Sequence, residues 1–225
     1  GAATDSDNNK NDFNAASTYG VGRYQLGIAG GWRTSAASAF LRPVLPARKN
    51  LELRTGCLAE RVVFEGDRAV GVDFRAREGR ASARAAREVI LAAGAVQTPQ
   101  LLQLSGIGPA SLLEQHGVSV RVDAPEVGEN LQDHYQARTI VRLKKKVSLN
   151  DAVRDPFQLA AMGLRWMFAK AGPLTVGAGQ VGGAACTPHA TGSRPDVQFN
   201  VMPLSVDKPG DPLHAYSGFT AAVWQ

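Results

Sequence analysis

Residues 87–108 read Arg-Glu-Val-Ile-Leu-Ala-Ala-Gly-Ala-Val-Gln-Thr-Pro-Gln-Leu-Leu-Gln-Leu-Ser-Gly-Ile-Gly. Val89-Ile90-Leu91-Ala92-Ala93 is a short, uninterrupted apolar run with glycine behind it, the pattern of a strand covered on both faces in a parallel sheet. Thr98 can cap a helix with Pro99 at its first position; Leu101, Leu102 and Leu104 follow, and Gly106 ends it. Ala93-Gly94-Ala95 lets the backbone pass close to a ligand, and a helix beginning at Thr98 points free N–H groups and a positive dipole end outward. Strand, small-residue turn and helix make an α/β unit whose helix end suits an anionic or electron-rich cofactor.

Upstream, the texture is β: Leu51 to Arg54, Leu58 to Glu65 and Ala69 to Arg77, with bends at Gly66-Asp67 and Glu78-Gly79. Residues 1–18 are polar and read as a surface loop, Tyr19 to Trp32 is glycine-spaced and partly extended, and Thr34 to Leu41 is a short helix halted before Pro43. Downstream, a second short helix spans Pro109 to Gly117, Val118 to Val122 is a candidate strand, and Asp123 to Asp133 is a turn-rich connection. A further helix begins at Asp155-Pro156 and ends at Gly172-Pro173. Its residues Phe157, Ala160, Leu164, Met167 and Phe168 recur at helical spacing and are expected in the core.

Composition excludes several classes. With 225 residues, 44% of them hydrophobic, the chain can bury a core, and a formal charge of +5 is too weak to name a partner. Glycine accounts for 24 residues, well above the usual ~7%, as a ligand-cradling backbone requires. Cys57 and Cys186 form neither a disulfide framework nor a metal motif. His116, His134, His189 and His214 lack metal-ligand spacing, and no Gly-x-Ser-x-Gly elbow occurs. Arg75, Arg77, Arg80, Arg84 and Arg87, like Arg142 with Lys144, Lys145 and Lys146, lack interleaved aromatics, so they read as solvated sheet surface rather than a nucleic-acid interface. Gly177 to Gly182 fits Gly-x-Gly-x-x-Gly, yet Pro188 and Pro195 leave no room for the helix such a turn must open. Neither a membrane-length apolar run nor a signal peptide is present, and a chain from Gly1 to an apolar Phe219–Trp224 reads as a piece of a longer protein.

Gly94 to Gly108 resembles the second signature of the glucose-methanol-choline (GMC) oxidoreductases, with Thr98-Pro99, Leu101-Leu102 and Ser105-Gly106-Ile107-Gly108 in register. The similarity extends to Asp12-Phe13-Asn14, Gly20-Val21-Gly22, Arg33 to Ala37, Phe40 to Pro43, Asn50-Leu51, Val63 to Gly66, Arg68 to Val72, Val127 to His134 and Pro195 to Phe199. The resemblance implies an α/β protein (α+β overall): part of an FAD-binding Rossmann-like domain at 41–132, with substrate-side segments at 1–40 and 133–225 that form part of a mixed-sheet domain. It implies FAD as cofactor, a small alcohol as substrate oxidised to a carbonyl by hydride transfer to the flavin, and a separate electron acceptor. A hydroxynitrile lyase of the same family is the alternative, as is a non-catalytic binding fragment. The N-terminal FAD fingerprint and the C-terminal histidine base of the family are both expected outside this chain, so none of its histidines is assigned as the base and the chain alone is expected to be inactive.

The same resemblance carries cofactor-side roles onto Ala59, onto Ala93 and Gly94 at the strand end, and onto Asn130, Gln132, Asp133 and His134, where relatives bring the chain past the flavin. Choline-acting relatives carry a carboxylate where this chain has Gln180, and a neutral amide forgoes most of the attraction for a trimethylammonium cation. The expected substrate is therefore a non-cationic alcohol.

Overall fold

The computed structural model describes residues 20–177, 179–208 and 210–225; the reading of residues 1–18 as a surface loop, and the Asp12-Phe13-Asn14 similarity, lie outside them. The chain divides into two compact units, one of residues up to Ala47 together with His134–Gln225, the other Arg48–Asp133. The first unit begins with β1 (Gly20–Arg23) and a hairpin of β2 (Ile28–Ala29) and β3 (Trp32–Arg33). Its turn residues Gly30 and Gly31 both have positive φ (57° and 76°), the primed geometry that matches strand twist. The helix expected before Pro43 is a π-helical turn at Ala37–Leu41.

The second unit holds an antiparallel meander in the order β4 (Leu58–Glu65), β5 (Arg68–Ala76), β6 (Gly79–Arg84). Val62, Val70 and Phe74 are its buried apolar side chains, and Gly71, also buried, is required because a Cβ there would run into the Ala83 carbonyl of β6. The arginines pair across the exposed face: Arg61 with Asp73 at 2.7 Å, Arg80 with Glu60 at 3.0 Å, and Arg75 with Glu60 at 3.4 Å. Leu51–Arg54, expected as a strand, is not one. After the meander come α1 (Gly94–Leu104), β7 (Ile107–Gly108), α2 (Ala110–Gln115) and β8 (Val122–Asp123), with β8 parallel to β7.

Two expectations about this stretch need correction. Residues 89–93 are not a buried parallel strand; they pair with nothing among the described residues, and Ile90 is 79% exposed. An apolar run becomes a strand only when neighbours supply its ladder, and the described residues supply none. The helix also starts five residues early, at Gly94 rather than Pro99. Gly94 opens it at φ 88°, Pro99 lies inside it, and the Thr98 hydroxyl reaches back to accept a hydrogen bond from Ala93 N–H at 3.0 Å.

The first unit then resumes with β9 (Gln136–Arg142), α3 (Leu149–Arg154), α4 (Pro156–Ala169), β10 (Val181–Ala185), β11 (Val197–Met202) and β12 (Gly218–Trp224). With β1 they form a five-stranded antiparallel sheet in the order β1-β10-β11-β12-β9. Asp155 caps α4 by accepting from Phe157 N–H (2.9 Å) and Gln158 N–H (3.2 Å), Pro156 takes the first helical position, and Lys170 in the left-handed region (φ 49°) stops the helix. The apolar stripe of α4 is not core. Phe157 and Phe168 are 85% and 81% exposed, and the side that packs inward carries Met162 and Trp166, whose indole N–H donates to the Gly31 carbonyl at 3.0 Å.

Ser148 and Asp151 form a capping box on α3: the Asp151 carboxylate accepts from Ser148 N–H (3.1 Å) and from the Ser148 hydroxyl (2.9 Å). The Ser217 hydroxyl foremost, then Ser148, holds the Asp151 carboxyl below the usual carboxylate range. A lowered folded-state pKa adds stability above the unfolded value that is lost as pH falls through the folded value. The attachment of α3 to β12 should therefore weaken as pH drops below about 4. Hydrogen exchange at Gly218, whose N–H donates to the Ser148 hydroxyl at 3.2 Å, reads this, and Asp151→Asn should flatten the pH dependence.

Candidate functional site

In the second unit α1 is the hub. At its C-terminal end the Ser105 hydroxyl accepts from Val62 N–H of β4 at 2.8 Å and donates to the Leu101 carbonyl at 2.6 Å. From its last turn, the Gln103 amide donates to the Val127 carbonyl at 2.9 Å, and the next residue, Gly128, has a φ of 95° that disfavours any residue with a side chain. Ser105 and Gln103 thus bind the strand carrying Ala59 and the segment leading to Asn130 onto one helix. Both residues lie within the signature stretch, but their roles as ties between elements are visible only in three dimensions.

The opposite end of α1 is bare. Ala93, Gly94, Ala95 and Val96 are exposed, no side chain caps the helix, and nothing lies within 4 Å of where a Gly94 Cβ would be. The first amides of a helix have no intrahelical acceptor, so this end presents N–H donors beside side chains too small to shield them. Ala59 sits in β4 opposite Phe74 with an exposed side chain. Asn130 occupies the left-handed region (φ 54°), which asparagine tolerates better than most residues, and its amide donates to Glu126 at 3.1 Å. The Gln132 amide donates back to the Asn130 carbonyl at 3.1 Å. Asn130, Gln132 and Asp133 are all solvent-exposed at the end of this unit.

His134 belongs to the first unit. Its ring lies 6.4 Å from that of Trp224, beside a surface cleft of about 460 Å³ lined also by Tyr24, Gln198 and Pro195. Gln198 accepts from the Trp224 indole N–H at 3.2 Å. The Tyr24 hydroxyl donates to the Phe199 carbonyl at 3.0 Å and lies where a Gly182 Cβ would be. Gly182 and Gly183 are thus strand residues of β10 that make room for their neighbours, and the Gly-x-Gly-x-x-Gly run opens no helix. Just before β10, half-buried Gln180 accepts from Tyr24 N–H at 3.0 Å through its carbonyl. Next to it, the space a Gly179 Cβ would take is 3.1 Å from the side-chain nitrogen of Asn200. The Asn200 side-chain oxygen is buried and has no hydrogen-bond partner among the described residues. Asn200 escaped the sequence reading because one asparagine among β residues carries no pattern. No group of three or more His, Cys, Asp or Glu residues that could hold a metal ion occurs among the described residues, and no described helix is long and apolar enough to cross a membrane.

Comparison with known proteins matches this arrangement to oxidoreductases. The chain is 37% identical over 212 residues to an oxygen-dependent choline dehydrogenase of Brucella anthropi, covering 94% of this chain and 38% of that protein. It therefore spans well under half the length of the curated relatives it matches. Pyridoxine 4-oxidase from Mesorbium loti superposes with a TM-score of 0.71 at 27% identity, over 91% of this chain and 36% of that one. Formate oxidase superposes with a TM-score of 0.82 over 95% of this chain and 41% of that one, and at 21% identity it speaks for the fold alone. The choline dehydrogenase and pyridoxine 4-oxidase relatives give the hydroxynitrile lyase alternative no support. Residues 2–136 match the sequence profile of GMC oxidoreductase, and the chain belongs to that family.

Proposed function

We propose that this chain is part of an FAD-dependent enzyme that oxidises a small, uncharged alcohol to a carbonyl. The observation that carries the reading is the bare opening of α1, Ala93 to Val96, inside the family signature. This end fits a flavin nucleotide: its free amides suit electron-rich groups, and Gly94 leaves open the space that a side chain would fill. Ala59, Ala93, Gly94, Asn130, Gln132, Asp133 and His134 are the residues we assign to holding FAD. When bound, FAD supplies the two-electron acceptor for the alcohol. Asn200 offers a buried acceptor to a substrate hydroxyl beside Gln180, a polar but uncharged pair. The chain by itself, lacking any residue we assign as base, is expected to turn over no alcohol.

The test is the visible spectrum of the whole protein together with its turnover of primary alcohols with an artificial acceptor. A flavin spectrum and alcohol-dependent reduction are expected, and a colourless preparation refutes the reading. Gly94→Val in the same protein separates cofactor approach from a simple turn. Because β-branched valine resists φ 88°, some strain of order 1–3 kcal/mol arises either way. The cofactor reading additionally requires loss of flavin from protein that is still folded, so full flavin occupancy with a lowered urea midpoint removes Gly94 from the site.

A further inference from the structure

Across the five-stranded sheet, Arg138 of β9 stands opposite Ala222 of β12, Ala222 opposite Asn200 of β11, and Asn200 opposite Gly182 of β10. Residues opposite each other in an antiparallel ladder share a face, so these four make one row on one face of the sheet. Its two polar members are each short of a partner. The Arg138 Nε and the Asn200 side-chain oxygen are buried and make no hydrogen bond among the described residues. The first is a donor that belongs to a cation, the second an acceptor, and leaving either unpaired away from water is costly. Between them the row offers only the methyl group of Ala222, and beyond Asn200 the Tyr24 hydroxyl fills the space over Gly182.

The guanidinium is held from behind. Its terminal nitrogens donate to the Val206 and Asp207 carbonyls at 3.4 Å and 3.3 Å, which leaves Nε–H to serve the row. The neighbouring row on the same face sets Gln198 opposite Trp224, and both line the cleft of about 460 Å³, so the Arg138 row lies one step inward from that cleft. Resting on the reading of Asn200 as acceptor for the substrate hydroxyl, we infer that Arg138 is a specificity-determining residue whose Nε–H donates to a second oxygen of the substrate. The substrate class is then a short alcohol with a neutral acceptor, such as another hydroxyl, at its far end. Strands two apart lie ~10 Å from each other, and a hydrogen bond at each end takes up ~3 Å, so the two oxygens stand ~4–5 Å apart. Propane-1,3-diol spans that gap. A guanidinium on this face also repels a quaternary ammonium, in agreement with the uncharged Gln180.

Steady-state turnover of propane-1,3-diol and of butan-1-ol by the whole, flavin-loaded protein with an artificial acceptor tests this. The two alcohols differ by a hydroxyl in place of a methyl group, and the ratio of their kcat/KM values does not depend on how much of a sample is active. A ratio of about 10–100 in favour of the diol is expected, as for a hydrogen bond to a charged donor, and Arg138→Met should lower it at least tenfold. Should Arg138→Met fail to fold, Arg138→Lys decides. It keeps a cation for the Val206 and Asp207 carbonyls but has no N–H at the Nε position, and the ratio should fall likewise. A ratio below about three in the unaltered protein, or a preference that the folded variant retains, overturns the inference and leaves alcohol oxidation standing. Turnover of neither alcohol overturns the reading beneath it and the inference together.

Discussion

Asn150→Ala should open the segment from Ser205 to Ser217 without unfolding the sheet beneath it. Asn150 is fully buried, and its side chain is the knot of that segment. Its amide group lies within hydrogen-bonding distance of the Ser205 carbonyl (3.1 Å) and hydroxyl (3.0 Å), the His214 carbonyl (3.1 Å) and the Tyr216 carbonyl (3.3 Å), while its oxygen accepts from Ser205 N–H at 3.0 Å. Truncation strands several buried backbone groups at once, each worth about 1–3 kcal/mol when unsatisfied, so roughly 3–4 kcal/mol is the expected local loss. Amide exchange at Ser205 and at Leu149, which donates to the Pro203 carbonyl, should quicken by about 10²–10³-fold, while β11 and β12 keep their protection. Asn150→Asp is the sharper variant. It keeps the shape but replaces the donors by an anion facing carbonyl oxygens, and it should cost at least as much. Exchange unchanged within threefold in both variants would show that Arg154, which also donates to the His214 carbonyl, holds the segment unaided.

The second large effect is expected from Gln180→Glu in the whole protein, and it rests on the proposal that Gln180 faces the substrate. At about 5 Å and an effective dielectric near 20, a carboxylate and a quaternary ammonium attract by about 3 kcal/mol, part of which desolvation of the carboxylate offsets. The kcat/KM for choline should rise by roughly 10–100-fold. Its uncharged isostere, 3,3-dimethylbutan-1-ol, should gain nothing, because shape and hydrophobic contact are unchanged and only the charge term is altered. Equal gains for both alcohols, or a gain for neither, would remove Gln180 from the substrate pocket.

What could be read before the structure was known divides along a physical line. Elements that carry their own punctuation were legible: β4 ends at the Gly66-Asp67 bend as expected, β5 starts one residue early, and α4 starts at its Asp155-Pro156 cap, although it ends at Ala169, before the Gly172-Pro173 stop. Elements whose state depends on neighbours were not. Val89 to Ala93 has the composition of a buried strand but lacks ladder partners among the described residues. The Phe157–Phe168 stripe has core periodicity on the side of α4 that faces outward. β6, Gly-Arg-Ala-Ser-Ala-Arg, is an edge strand exposed along its whole length, and with no large apolar residue it showed no alternation to detect. At the candidate site, glycines and the left-handed Asn130 could be named from residue type. The orphaned oxygen of Asn200 and the ties made by Ser105 and Gln103 arise from contacts between residues far apart in sequence.

One pairing in the first unit also orders events during synthesis. β1 takes its hydrogen bonds from β10, Gly20 opposite Ala184 and Arg23 opposite Val181, and the entire second unit is translated between them. The meander of the second unit closes through two tight bends and can assemble as soon as it leaves the ribosome, since short loops close quickly. β1 meanwhile waits with an unsatisfied edge until its partner emerges, and β9 waits likewise for β12. During that interval the nascent first unit exposes an unpaired strand edge of the kind chaperones cover, and slowing elongation between Asp133 and Val181 would lengthen its exposure.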